Sequence, residues 1–245
     1  MPYLSRVWLN PLRTQTQRML RDPQVLHAAV LGGLSRQPVR ERVLWRVEQE
    51  ESPYRVDVLV LSESQPSWEH LVEQGGWPSA DEPQALVRPY EPLLRRVVPG
   101  AQFAFRLRAN PVSATRLPDK PSAAQQQSLT SVARSRGVRV PHRTVAHQLA
   151  WLTDRVEKWG FEIPETEAGF PDMRLIARKR LVFGRRTGGD GGRRVVIETA
   201  TYEGRVRVID EASARRSLLS GVGHARAYGC GLITLAPAAP SAAER

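Results

Sequence analysis

The chain has 245 residues, 41% of them hydrophobic, and carries a formal charge of +11 at neutral pH from 36 Lys and Arg against 25 Asp and Glu. That length holds two small domains or one larger one with a buried core; no apolar run nears the roughly 20 residues that span a bilayer, and the Met1-Pro2-Tyr3-Leu4 start has no secretory h-region, so a cytoplasmic protein is expected. The single cysteine, Cys230, excludes an intrachain disulfide and a cysteine-based zinc site, while the positive balance points to a polyanion, and to nucleic acid over membrane because no basic amphipathic helix is found.

All of the positive side-chain charge except Lys120, Lys158 and Lys179 is arginine, which GC-rich codon usage alone would produce. Guanidinium forks nevertheless suit phosphate contacts and stacking on bases. In chain order, Tyr3 to Leu9 reads as a buried strand stopped by Asn10-Pro11. A helical stretch follows, with Leu20, Val25, Leu26, Val30 and Leu34 near helical spacing, Asp22 as N-cap and Pro23 at the first helical position. Val43 to Glu48 and Tyr54 to Leu61 are predicted strands joined across Gln49 to Pro53. A short helix from Ser67 to Glu73 and a weak strand from Ala85 to Pro89 complete a first unit, residues 1–97.

The second unit, residues 98–245, opens on a strand from Gln102 to Asn110 whose alternation puts Arg106 and Arg108 on one face, where they are candidates to face RNA. Ser113 to Pro141, rich in Ser, Gln, Pro and Arg, reads as a mobile connection. Thr144 to Trp159 is a predicted helix with Val145, Leu149, Leu152 and Val156 on one face, ended by Gly160. Met173 to Phe183 and Arg194 to Tyr202 then flank a basic glycine-rich turn, Gly184 to Arg193, with Glu203-Gly204 as a second tight turn before Val206 to Ile209. The long hairpin gathers Arg178, Lys179, Arg180, Arg185, Arg186, Arg193 and Arg194, a density that a solvated turn does not need and that suits phosphate contact.

After a helix from Glu211 to Ser220 come Gly221, Gly223, Gly229 and Gly231, two G-x-G pairs leading into a strand from Gly231 to Ala236, and a tail from Pro237 expected to be disordered. The glycines admit positive φ and close approach by another backbone or a polyanion, although a plain turn is the alternative. The dinucleotide fingerprint does not apply, because it needs a strand before the loop and a helix after it. Arg226 and His224 are the side chains in this loop able to meet phosphate.

Both units follow the order βαββαβ, so the expected fold is α+β, two tandem ferredoxin-like (RRM-like) domains. That fold hosts many functions. The aromatic pair with which RNA-recognition motifs stack bases is not evident, which favours a structured phosphate backbone over a single strand.

Several runs carry a family likeness: Tyr3-Leu4-Ser5-Arg6-Val7, a histidine in the first helix, Phe105 to Pro111, Ala150-Trp151-Leu152, Tyr202-Glu203-Gly204, and the terminal glycine motif through Leu232. Together they resemble the CasE family, the CRISPR-RNA processing endoribonucleases of type I-E (Cascade) systems, over nearly the whole chain and least from Val112 to Arg139. The resemblance implies an enzyme without metal or small-molecule cofactor that binds the CRISPR repeat stem-loop and cuts at the 3′ base of the stem. It also implies partners in the other Cascade subunits, especially the backbone subunit, and none in a membrane. The family's catalytic histidine falls on His27. Some relatives carry a tyrosine three residues before it and a lysine five after; here Gln24 and Gly32 stand there, leaving Arg36, Arg18 or Arg21 as candidate balancing cations.

Breaking RNA without a metal needs a proton taken from the 2′-OH, a proton given to the leaving 5′-oxygen, and stabilisation of the charge on phosphorus; histidine serves either transfer and arginines the third task. Without the resemblance a lone helix histidine has a structural reading as well. His142 and His147 lack the four-residue spacing of a helical zinc pair and read as surface residues, as does His70. The alternatives are a non-catalytic subunit that binds the RNA hairpin and a general structured-RNA-binding protein.

Overall fold

The structure, a computed structural model, describes residues 1–48, 54–78, 80–116, 126, 137–185 and 193–238. Strand β1 (Tyr3–Leu9) buries Ser5, Val7 and Leu9, every second residue, as a sheet with one covered face requires. The helical stretch that follows is two helices, α1 (Thr14–Arg21) and α2 (Pro23–Gly32). Asp22 breaks them because a residue before proline is driven out of the helical region; its φ is −122°, and its side chain caps α2 by accepting from the Gln24 N–H at 2.9 Å. Strands β2 (Leu44–Glu48) and β3 (Val56–Ser62), helix α3 (Glu69–Gly75) and strand β4 (Ala85–Pro89) complete the unit. The sheet order is β2-β3-β1-β4, all neighbours antiparallel, with Leu9 opposite Val56 and Tyr3 opposite Pro89. Met19, Leu26, Val30 and Leu71 of the helices pack with Val7, Leu9 and Val58 of the sheet in one core. Burial of each such side chain contributes roughly 1.5–3 kcal/mol.

A one-turn helix absent from the sequence reading, α4 (Glu91–Leu94), follows, and Tyr90, Leu94 and Val97 enter the core of the second sheet. Strand β5 (Gln102–Ala109) alternates as expected, with Phe103, Phe105, Leu107 and Ala109 buried. Of the connection expected to be mobile, Val112–Thr115 (β6) and Val138–Pro141 (β7) pair as a two-stranded antiparallel sheet. Residues 117–125 and 127–136 lie outside the described part, as does the tail from 239. Helix α5 (Val145–Val156) buries Gln148, Trp151, Leu152 and Val156. Its inner face is therefore turned from the predicted stripe, and Val145 is exposed, because the Trp151 ring stacks on Tyr202 and meets Trp159.

Strands β8 (Phe161–Glu162), β9 (Met173–Arg185) and β10 (Arg193–Val208), helix α6 (Glu211–Ser220) and strand β11 (Ile233–Pro237) close the chain. The order is β11-β5-β10-β8, with β9 also paired along β10. The predicted turn at Glu203-Gly204 does not occur: β10 runs through it, shifted in register between Thr201 and Tyr202. Glycine is required at 204 for room, since a Cβ there would lie 2.1 Å from the Asp172 carbonyl oxygen. With β8 and β9 taken as one interrupted strand, the strand order matches that of the first sheet.

The two sheets share packing. Leu44 and Leu61 of the first belong to the core that holds Phe105 and Leu232 of the second. Arg46, 1% exposed, crosses from β2 and donates through Nη1 to the carbonyls of Arg106 at 2.8 Å and Leu232 at 2.9 Å. Its Nη2 reaches Thr234 Oγ1 at 2.6 Å, and its Nε binds Glu48 at 2.7 Å.

Candidate nucleic-acid interface and active site

His27 lies on the middle of α2, half-buried, with Nδ1 accepting the indole N–H of Trp45 at 3.2 Å. Loss of water around the ring pushes its pKa below the ordinary histidine value, which favours the neutral ring. The adjoining crease between the two sheets is lined by Pro23 and Leu26 of α2, Trp45 of β2, Arg108 of β5, Lys179 of β9 and Tyr228. Its cations are thus Arg108 and Lys179, while Arg18, Arg21 and Arg36 are exposed side chains elsewhere. Gln24 donates to the carbonyl of Gly184, tying α2 to the long hairpin. At Gly32 a Cβ would stand 3.4 Å from His70, whose ring nitrogen meets the Ala29 carbonyl at 2.8 Å. His70, read as a surface residue, therefore anchors α3 to α2.

The hairpin has two unlike faces because its register sets Arg180 opposite Glu198 and Gly184 opposite Arg194. Leu181, Phe183 and Ile197 form a small core with Tyr228 and Ala225, Phe183 and Tyr228 having ring centroids 4.9 Å apart. Lys179 stands on this side and reaches the crease. Arg178, Arg180 and Arg194 stand on the other side and are exposed, Arg180 beside Glu198 at 3.5 Å and Arg178 donating to the Arg143 carbonyl. Arg185 and Arg193 form the last described pair of the hairpin; Arg186 lies outside the described residues.

The glycine loop is spent on the neighbouring sheet. Gly229, at φ 76°, packs so closely that a Cβ would sit 2.7 Å from the Trp45 ring, and one at Gly221, at φ 70°, 2.6 Å from Leu44. Gly231 faces the Val222 carbonyl and Gly223 the Trp151 ring. Arg226 donates to the carbonyls of Ser220 at 2.7 Å and Gly221 at 3.3 Å, closing the carboxyl end of α6. Arg106 is held between Glu48 at 2.8 Å and Glu203, which also receives Arg174 at 3.0 Å. Alternation put Arg106 and Arg108 on one face, but Arg106 closes an ion-pair network with Arg46 while Arg108 lines the crease.

His142 and His147 meet ring to ring at 6.0 Å. Among the described residues no three His, Cys, Asp or Glu side chains are grouped to hold a metal ion, and no helix is long and apolar enough to cross a membrane. Trp45, Tyr228 and Arg46 escaped the sequence reading, because His27, Phe183 and the Leu232 carbonyl, which they meet, lie 18 or more residues away in the chain.

Two sheets of one strand order, joined at a seam where Trp45 meets His27 and lines a crease with Arg108 and Lys179, define a tandem ferredoxin-like protein. The model of the family described as CRISPR associated protein matches residues 2–237. The chain belongs to that family, among its CasE and Cse3 members. It is 32% identical to the CRISPR-associated endoribonuclease Cse3 of Thermus thermophilus over 238 residues, 96% of this chain and 100% of the relative. A structure of Thermus thermophilus Cse3 bound to an RNA representing a pre-cleavage complex superposes with a TM-score of 0.71 at 31% identity, covering 96% of this chain and 99% of that one. The Cascade subunit CasE of Escherichia coli is 33% identical over 139 residues, 56% of this chain and 59% of the relative.

Proposed function

We propose that the protein is a CRISPR repeat RNA endoribonuclease. It binds the repeat stem-loop, cleaves at the 3′ base of the stem by attack of the 2′-OH upstream of the scissile phosphate, and remains on the mature RNA in the cytoplasm. There it is a Cascade subunit beside the backbone subunit. Residues 1–97 supply His27, and residues 98–245 supply the hairpin and the glycine loop. The observation that carries this reading is the position of His27: a half-buried imidazole on α2, joined through Trp45 to a crease that Arg108 and Lys179 also line.

The arrangement divides the chemistry by element. His27 serves the proton chemistry of the 2′-OH or the leaving 5′-oxygen. Arg108 and Lys179 stabilise charge gathering on phosphorus. Arg178, Arg180 and Arg194 on the open hairpin face, with Arg185, Arg186 and Arg193 toward the turn, neutralise stem phosphates. Gly221, Gly229 and Arg106 act one step back, holding the two sheets at the spacing that sets the crease, while Gly223, Gly231 and Arg226 shape the loop that carries them. Glutamine at 24 and glycine at 32 favour one second reading, a subunit that binds the hairpin without cutting it.

Binding titrations of the repeat stem-loop over a range of salt test the interface. Replacing Arg178 and Arg194 together by alanine is expected to weaken binding and to reduce the slope of log K against log salt by about one for each phosphate that is no longer neutralised. An unchanged slope would return the hairpin to a solvated structural ribbon. Equal competition by an unrelated stem would favour general structured-RNA binding.

A further inference from the structure

At Arg106 of β5 and at Arg205 and Arg207 of β10 the guanidinium meets a carboxylate, of Glu48 and Glu203, of Asp172 and of Glu162 in turn. Around α5 and the loop after α6 arginines are anchored by backbone carbonyls instead. Arg155 donates to Trp151 at 3.0 Å, Arg226 to Ser220 at 2.7 Å, and Arg178 of β9 to Arg143. A carbonyl fixes a guanidinium in place without cancelling its net charge, so the surface keeps a positive field. Arg139 of β7 and Arg143 extend it and are exposed. Three histidines stand among these cations. His142 and His147 meet ring to ring at 6.0 Å. Gly223 faces the Trp151 ring, over which Arg155 lies 5.0 Å from the centroid, and this places the exposed His224 beside α5 as well.

We propose that this surface, from Arg143 and the His142–His147 pair to His224, is a second RNA contact that holds phosphates of the repeat RNA beyond those met by the hairpin, and that His142 and His224 take up protons as the RNA binds. This deepens, and rests on, the reading of the protein as one that binds the repeat stem-loop. RNA is the partner favoured because the surface continues the open arginine face of the hairpin: Arg178 of that face reaches the Arg143 backbone, so one phosphate backbone can run across both.

The proton uptake follows from the charges around the two rings. At His142, loss of water, then His147 and Arg155, lower the pKa against the opposing pull of Asp154. At His224, loss of water, then Arg139, Arg226 and Arg155, lower it. The neutral rings are thereby favoured in the free protein. Phosphates arriving between the guanidiniums reverse the sign of the local potential and favour imidazolium, which donates from both nitrogens. Each ring then binds its proton more tightly in the complex than in the free protein, and by linkage affinity for RNA rises as pH falls through that interval.

The test is binding of a repeat stem-loop that carries a 2′-deoxy nucleotide upstream of the cut, titrated at fixed salt. The unaltered protein is expected to bind about tenfold more tightly at about pH 6 than at about pH 8, and His142→Gln with His224→Gln to lose most of that gain. Arg139→Ala with Arg143→Ala removes two exposed side chains and is expected to reduce the slope of log K against log salt by about one for each phosphate released, in addition to the loss at Arg178 and Arg194. An unchanged pH dependence in the folded histidine variant, or an unchanged slope in the arginine variant, overturns the proposal and leaves this face to an acidic protein surface. Equal binding of an unrelated stem by the unaltered protein would remove the reading beneath it, and the assignment of this site to repeat RNA with it. A slope that responds at Arg178 and Arg194 but not at Arg139 and Arg143 confines the failure to the second contact.

Discussion

Replacing His27 by alanine is expected to slow single-turnover cleavage of the repeat stem-loop by about 10²- to 10⁴-fold, the range for removal of a proton-transfer group, with affinity for the stem close to wild type. The separation of the two effects follows from where the residue sits. Leu26 and Val30, not His27, carry the packing of α2 into its core, so the helix keeps its place when the ring is removed. The arginines proposed to meet phosphate lie on the hairpin of the other sheet. Affinity falling in step with rate would make His27 a binding residue.

Arg46→Ala is expected to lower the free energy of unfolding by about 3–5 kcal/mol, the cost of breaking one side of a buried ion pair. The guanidinium is 1% exposed, and removing it takes a donor from the carbonyls of Leu232 and Arg106, the latter keeping Thr234 Oγ1 at 3.3 Å, and leaves Glu48 to pair with Arg106 alone. Both carbonyls lie at the seam between the sheets, so the crease lined by Arg108 and Lys179 is expected to loosen with it. Lysine at this position should not restore stability, because an ammonium cannot serve the two carbonyls, Thr234 and Glu48 with the geometry of the planar fork. By contrast the half-buried Arg215–Glu211 pair one helical turn apart is worth roughly 0.3–0.5 kcal/mol. Urea unfolding of the variant checks this, and a destabilisation below about 1 kcal/mol would place Arg46 among ordinary surface pairs.

The strands and helices were legible where period and punctuation agree. Alternation marked β1 and β5; Asp22 with Pro23 marked the start of α2, and the ends of β4 and α6 fell where the sequence placed them. Composition misled at the connection after β5, since Ser- and Pro-rich flanks hide a pair of four-residue strands held by backbone hydrogen bonds. Glu203-Gly204 resembled a turn because glycine is there for the neighbouring Asp172 backbone, which no local window contains. The turned face of α5 has the same kind of cause: Trp151 is drawn inward by Tyr202, 51 residues on.

For the site, residue type and charge sufficed to find the basic hairpin, but not to divide it into an apolar face against Tyr228 and an open arginine face, which depends on pairing register. His27 stood out only through the family likeness, since one histidine on a helix has no pattern of its own. Arg106 and Arg108 were equivalent by alternation; Glu48, 58 residues from Arg106, separates them. The glycine loop was recognisable as a place of close approach, and the structure fills that approach with Leu44 and Trp45 of the other sheet.

The central claim is that the nucleophile belongs to the RNA and that a protein side chain handles its proton. It is tested most directly by single-turnover cleavage, in EDTA, of a repeat stem-loop carrying one 2′-deoxy nucleotide immediately upstream of the cut, beside the all-ribose substrate. The expected result is cutting of the ribose substrate alone, leaving a 2′,3′-cyclic phosphate on the upstream product and a 5′-hydroxyl on the downstream one. Cleavage of the deoxy substrate, or a requirement for a divalent ion, would make water the nucleophile and contradict the role of His27 even with the RNA partner unchanged.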